Sequence, residues 1–193
     1  MQRVPMSASD THQQSVEHIG RALSTALQHA DPSLTIRLER AEDAETLCHL
    51  YQEFRWHELM HVPWPEAAKM AFLAEQFRLQ ADHYRKHYDC ARFWVVCHES
   101  KVIGRLYLHR SPSEFRLMDI MLFERCRGKG FGRVMIDCLL TECQALCLPI
   151  SLHVERENPA RDFYLRRGFE LDEDRGTYLF MVWRPMIVAA ATD

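Results

Sequence analysis

The chain's 193 residues suffice for one compact domain with a well-buried core and are short for two. A formal charge of −3 at pH 7, with acidic and basic residues interspersed, offers no basic field for nucleic acid or an anionic membrane surface, so neither is an expected partner. Seven cysteines, an odd number without a C-x-x-C pair, read as free thiols; the opening lacks the apolar core of a secretion signal, and no run approaches the ~20 apolar residues of a membrane span, so a cytoplasmic protein is expected.

In chain order, Val16, Ile19, Leu23, Ala26 and Leu27 repeat at helical spacing until Asp31-Pro32, which predicts an amphipathic helix on an N-terminal extension spanning residues 1–32. The domain proper is expected over 33–186, with a tail at 187–193. LTIRL (34–38) alternates as a strand, and AEDAETLCHLYQEF behind it has the spacing of a helix. VPWP breaks that pattern, and a second helix is predicted from Glu66 to His87. RFWVVCH (92–98) and VIGRLYLHR (102–110) read as a hairpin, FRLMDIMLF (115–123) as a third strand of the run. A helix from about Gly130 to Leu146 follows, then a strand at 150–155, a short helix opened by Asn158-Pro159, and strands at about 168–172 and 177–183. That order implies a mixed α/β sheet.

The stretch RCRGKGFGRVMIDCLL (125–140) sets glycines and basic residues before an apolar helical run. The first amides of a helix lack internal partners and carry the positive end of its dipole, so such a turn can hold an anion. The spacing G-x-x-x-x-G-K-[ST] is absent, and a G-x-G-x-x-G fingerprint fails at Arg133. What remains is R-x-x-G-x-G, with Arg127, Gly130 and Gly132, whose amides could wrap a pyrophosphate; a plain glycine-bearing loop with solvated basic residues is the alternative.

Together with HVERENPARDFYLRRGF (153–169), this loop resembles the GNAT superfamily of coenzyme A-dependent N-acyltransferases, through Asn158, Ala160, Phe163, Tyr164, Gly168 and Phe169. The resemblance covers about Leu34 to Arg184. It implies an α/β (α+β) fold with a splayed, mainly antiparallel sheet of about seven strands flanked by helices, its fourth and fifth strands parted around the pantetheine arm of acetyl-CoA. The cofactor-binding residues it implies are Ile120, Met121 and Leu122 for that arm and Arg127, Gly128, Lys129, Gly130, Phe131, Gly132 and Arg133 for the pyrophosphate, with Asn158 beside them. Tyr164 would protonate the leaving thiolate.

Transfer to an amine also needs a proton acceptor. By alternation Asp119 sits in an apolar row with Phe115, Leu117, Met121 and Phe123, where it reads either as a desolvated general base or as the ion-pair partner of Arg37 or Arg105. His153 and Glu155, which face away from that row, are its rivals. On the acceptor side, His57, Glu58, Trp64 and Tyr84 are candidate substrate contacts. His57 and His61 stand four apart as zinc ligands do on a helix, but no third ligand completes a site, so no metal is expected. The expected activity is transfer of an acetyl group from acetyl-CoA to a primary amine, on a small molecule or a protein, by direct attack in a ternary complex. A non-catalytic acyl-CoA-binding or sensing module is the alternative. Exposed strand edges and terminal apolar helices are compatible with a homodimer.

Overall fold

The structure, a computed structural model, describes residues 8–186, with side chains from residue 16 onward; the expected tail at 187–193 lies outside the described residues. Helix α1 (Ala8–Ala30) is followed by strand β1 (Leu34–Leu38), a 3-10 turn (Ala41–Asp43) and α2 (Ala44–Arg55). A second 3-10 turn (Trp56–Leu59) leads to α3 (Glu66–His87), and then β2 (Arg92–His98), β3 (Lys101–Arg110) and β4 (Phe115–Leu122) run in succession. After a third 3-10 turn (Glu124–Cys126) come α4 (Phe131–Ala145), β5 (Ile150–Glu155), α5 (Ala160–Leu165), β6 (Glu170–Arg175) and β7 (Tyr178–Trp183).

The seven strands form one sheet in the order β1-β2-β3-β4-β5-β7-β6. Every pairing is antiparallel except β4 with β5, which run parallel and touch only where Phe115–Leu117 meet Ile150–Leu152. Beyond Leu117 the two strands part, and the remaining length of β4 faces an opening. One core spans the molecule from α1 to β7. Val16, Ile19, Leu23 and Leu27 of α1 are fully buried in it, and the helix packs on β1 and α4. The predicted amphipathic helix therefore forms, with its apolar stripe as a layer of the core. The reason is its apolar stripe, which removes four large side chains from water and stabilises the fold by about 1.5–3 kcal/mol for each.

A bulge in β4 sets the geometry of everything that follows. Tyr107 of β3 pairs with Asp119 while its neighbour Leu108 pairs with Leu117, so Met118 is an extra residue on β4. Paired residues share a face and consecutive residues of β3 do not. Asp119 therefore turns to the side of Arg105 and Tyr107, beneath α2 and α3, while Phe115 and Leu117 face α1 and α4. The expected row of Phe115, Leu117, Asp119 and Met121 is not formed, because simple alternation cannot register one inserted residue. On β5, Ile150 and Leu152 follow Phe115 and Leu117 to the α4 side, which leaves His153 and Glu155 on the face that Asp119 has joined. Close approach of β3 to β4 depends on Gly104: a Cβ there would fall onto the Met121 carbonyl oxygen and the Leu122 side chain.

Candidate active site

At the end of β4 the chain makes the Glu124–Cys126 turn and reaches the glycine loop. Arg127 folds back, its Nε donating to the Leu122 carbonyl at 2.8 Å and its guanidinium lying 5.4 Å from the centroid of the Phe54 ring. Gly130, with φ of 87°, is the N-cap of α4 in the left-handed region, a conformation that glycine adopts without a Cβ penalty. No acidic side chain occupies the first turn of α4, so its amides and the positive end of its dipole present themselves to the opening. Gly132 lies beside β4, where a Cβ would make only an ordinary contact with the Leu122 side chain at 4.0 Å.

Between the parted ends of β4 and β5 lies a cavity of about 670 Å³. Ile120, Met121, Leu122, Arg127, Gly132 and Asn158 of the sequence-expected cofactor set line it. Gly128, Lys129, Gly130, Phe131 and Arg133 do not. Phe131 is buried in the core, while Gly130 and Arg133 border a shallow groove between α1 and α4, and Arg133 is tied to Asp137 at 3.3 Å. Asn158 spends its side-chain oxygen on α5, accepting from the Ala160 amide at 2.9 Å. An apolar slot that ends on a helix N-terminus with basic neighbours suits a long thiol-bearing arm with a pyrophosphate, so the residues present fit coenzyme A.

A second cavity, of about 550 Å³, opens on the α3 side of the sheet and shares Ile120, Met121, Glu155, Asn158 and Tyr164 with the first. Tyr164 stands at the junction. Its ring is wedged edge-on against Phe163 (5.5 Å) and Phe169 (5.4 Å), and it is only 6% exposed. Its hydroxyl makes no hydrogen bond to a described residue. Burial, with the nearby Asp119 charge adding to it, holds the phenol well above its ordinary range, so it stays protonated and able to donate.

The three base candidates converge on this second cavity, each in a different state. Asp119 accepts from Arg105 Nη2 at 2.6 Å, with side chains only 6% and 1% exposed. Arg105 also reaches Gln80 at 2.9 Å and lies among the rings of Tyr51, Phe77 and Tyr107. Desolvation pulls the guanidinium pKa down, but Asp119 and Tyr107 outweigh it, and the group is held above its ordinary range. Of the two readings of Asp119, the structure forms the ion pair, with Arg105; Arg37 instead binds Asp43. Glu155 accepts from Arg55 Nη1 at 2.6 Å and from the Tyr178 hydroxyl at 3.2 Å, and it lines both cavities. His153 Nε2 accepts from Arg175 Nη1 at 2.9 Å. Burial first, then the charges of Arg116 and Arg175, lowers the His153 pKa, so the ring is neutral at pH 7 with that lone pair engaged.

Of the four expected substrate contacts, Tyr84 lines the second cavity and donates to the Met118 carbonyl at 3.3 Å. The other three lie elsewhere. His57 lines the first cavity, with Nδ1 bonded to the Phe54 carbonyl at 3.0 Å. Glu58 is bound to Arg55 Nε at 2.6 Å, and desolvation raises its pKa. Trp64 is 46% exposed against Phe72 and lines neither cavity. Because α2 ends at Arg55 and gives way to a 3-10 turn, His57 and His61 do not share an α-helical face. Among the described residues no group of His, Cys, Asp or Glu could hold a metal. Arg55, Arg116, Arg175 and Tyr178 line the second cavity without having been singled out from the sequence.

A sequence model described as the Acetyltransferase (GNAT) family matches residues 51–169. No curated protein matches the chain. Among solved structures, the PaiA N-acetyltransferase of Thermoplasma acidophilum in complex with coenzyme A is 21% identical, with a TM-score of 0.60 over 79% of this chain and 99% of that one. The ribosomal-protein-S18-alanine N-acetyltransferase of Escherichia coli is 15% identical, with a TM-score of 0.56 over 83% of this chain and 99% of that one. An acetyltransferase of Thermus thermophilus is 18% identical, with a TM-score of 0.56 over 80% of this chain and 97% of that one. At these identities the likeness is one of fold.

Proposed function

The chain belongs to the acetyltransferase (GNAT) family, and from that premise we propose that it transfers an acetyl group from acetyl-CoA directly to a primary amine with both substrates bound. The observation that carries this reading is the meeting of two cavities at the buried hydroxyl-bearing side chain of Tyr164. The thioester arm would enter along β4, and the acceptor from the α3 side. Glu155 is the proton acceptor in this reading, directly or through water, because it borders both cavities and, although paired with Arg55, keeps 22% of its side chain exposed, whereas Asp119 is buried against Arg105 at 6% and the His153 lone pair is engaged by Arg175. Tyr164 then donates to the departing sulfur, an electrostatic need that grows as the C–S bond breaks. Asp119 acts by holding Arg105 and the wall of the acceptor cavity in place. The free cysteines support a reducing, cytoplasmic setting.

The test is calorimetric titration of acetyl-CoA, followed by thiol release with a panel of amines. Micromolar binding and amine-dependent thiol release are expected. Absence of binding by the folded protein overturns the reading, and binding without release for any amine removes its catalytic part.

A further inference from the structure

The acceptor cavity is not electrically even. At the end away from Tyr164, Arg116 of β4, His153 of β5 and Arg175 of β6 gather around the ring of Phe180 on β7. The Arg116 guanidinium carbon is 5.4 Å from that ring's centroid, the Arg175 carbon 4.9 Å, and the centroid of the His153 ring 5.0 Å. Arg175 donates to Glu173 from both Nε at 2.9 Å and Nη2 at 2.6 Å, and from Nη1 to His153 at 2.9 Å. For Arg116, the one carboxylate within reach among the described residues is Glu114 at 3.7 Å, too far for a hydrogen bond. The cavity's own carboxylates are spoken for, Asp119 by Arg105 and Glu155 by Arg55. Positive charge is thus left over at this end on Arg116, whose forked donors are free beside the same ring, while Arg175 keeps one proton on each terminal nitrogen to add to them.

The distance from the reaction point follows from strand geometry. Arg116 precedes Ile120 by four residues on β4, and His153 precedes Glu155 by two on β5. At a rise of about 3.3 Å per residue the basic end lies roughly 7–13 Å from the junction at Tyr164. Resting on the transferase reading above, we propose that the acceptor carries an oxyanion, a carboxylate or a phosphate, bound by Arg116 and Arg175 about 7–13 Å from the amine that is acetylated. The substrate class is therefore an anionic amine such as an amino acid, a short peptide or an aminoalkyl phosphate. Polycations such as polyamines are repelled at the same place.

Matched acceptors test this with the full chain: ε-aminocaproate, the corresponding aminoalkyl phosphate, n-hexylamine and spermidine, read by thiol release from acetyl-CoA. The anionic members are expected to exceed n-hexylamine in kcat/KM by about tenfold or more, mainly through KM. Arg116→Gln and Arg175→Gln are expected to erase that advantage while leaving acetyl-CoA affinity intact. A second readout does not need turnover. The imidazole proton resonance of His153, identified by its loss in His153→Asn, is followed against pH with each compound present. An anion seated between the two arginines raises the His153 pKa in a saturable way, n-hexylamine does not, and Arg116→Gln abolishes the effect. Whether the carboxylate or the phosphate saturates at lower concentration distinguishes the two sources of charge. A preference for n-hexylamine or spermidine, or a His153 titration that neither anion moves, overturns the proposal. A persistent His153 response without thiol release from any amine instead overturns the transferase reading and leaves the anion site standing.

Discussion

Asp119 and Tyr164 show how differently single residues can be read. Tyr164 was legible because its motif is local: Asn158, Ala160 and Phe163 surround it in the sequence and in space. The state of Asp119 was not, because its partner Arg105 comes from another strand and its orientation depends on the bulge at Met118. The same holds for Arg116 and Arg175, which are unremarkable polar residues until the sheet brings three strands around Phe180. Two outcomes follow at this scale. Asp119→Asn leaves Arg105 buried without its counter-charge and should cost about 3–5 kcal/mol in urea unfolding, whereas the paired change Arg105→Met with Asp119→Leu should recover most of it. Tyr164→Phe removes only the hydroxyl, so kcat should fall by about 10²-fold or more with acetyl-CoA affinity preserved in calorimetry.

Elements were read well where the local signal was strong: helices α3 and α4 and strands β1, β2 and β3 form close to the expected bounds, with β2 and β3 buried on both faces. Alternation failed in β4, where a bulge changes parity without any change in residue type. The packing of α1 was also hidden, because an amphipathic stripe says that a face is covered without saying by what. Leu23→Ala should therefore behave as a core substitution and lose about 2–5 kcal/mol, measured by thermal or denaturant unfolding. The start of α2 is clasped to β1 by Asp43, whose two oxygens accept from Arg37 at 2.7 Å each. Those bonds hold the Asp43 carboxyl below its ordinary pKa, with burial acting the other way and the Arg40 amide assisting. A carboxyl depressed in the folded state contributes stability above its unfolded value, near ~3.9, and that contribution disappears as pH falls through the lower folded value. Asp43→Asn should accordingly destabilise the protein at pH 7, and its deficit relative to the wild type should shrink toward zero in strongly acidic solution.

Across the whole molecule, the sheet is a sequence of antiparallel ladders interrupted by one short parallel contact, and both cavities depend on that interruption. A ligand seated there bridges the halves of the sheet, so coenzyme A at one hundred times its Kd should add about 2.7 kcal/mol to stability, seen as a rise in Tm. Gly130→Asp, with a carboxylate facing the helix amides and a side chain forced to a positive φ, should abolish that rise. The two margins of the sheet are also unlike. β6, at one end, reads ELDEDR, is solvent-exposed along its length and carries four carboxylates, while β1 forms the other end. A second copy of β6 laid against it would set carboxylate beside carboxylate, each already paired with Arg156, Arg175 or Arg184, whereas β1 with LTIRL carries no such row. Two-fold joining of β6 to β6 is therefore the disfavoured arrangement, and a symmetric pair of copies would meet at less cost through β1. The acidic margin thus selects among ways of joining by symmetry, weighing against like meeting like at one end of the sheet only.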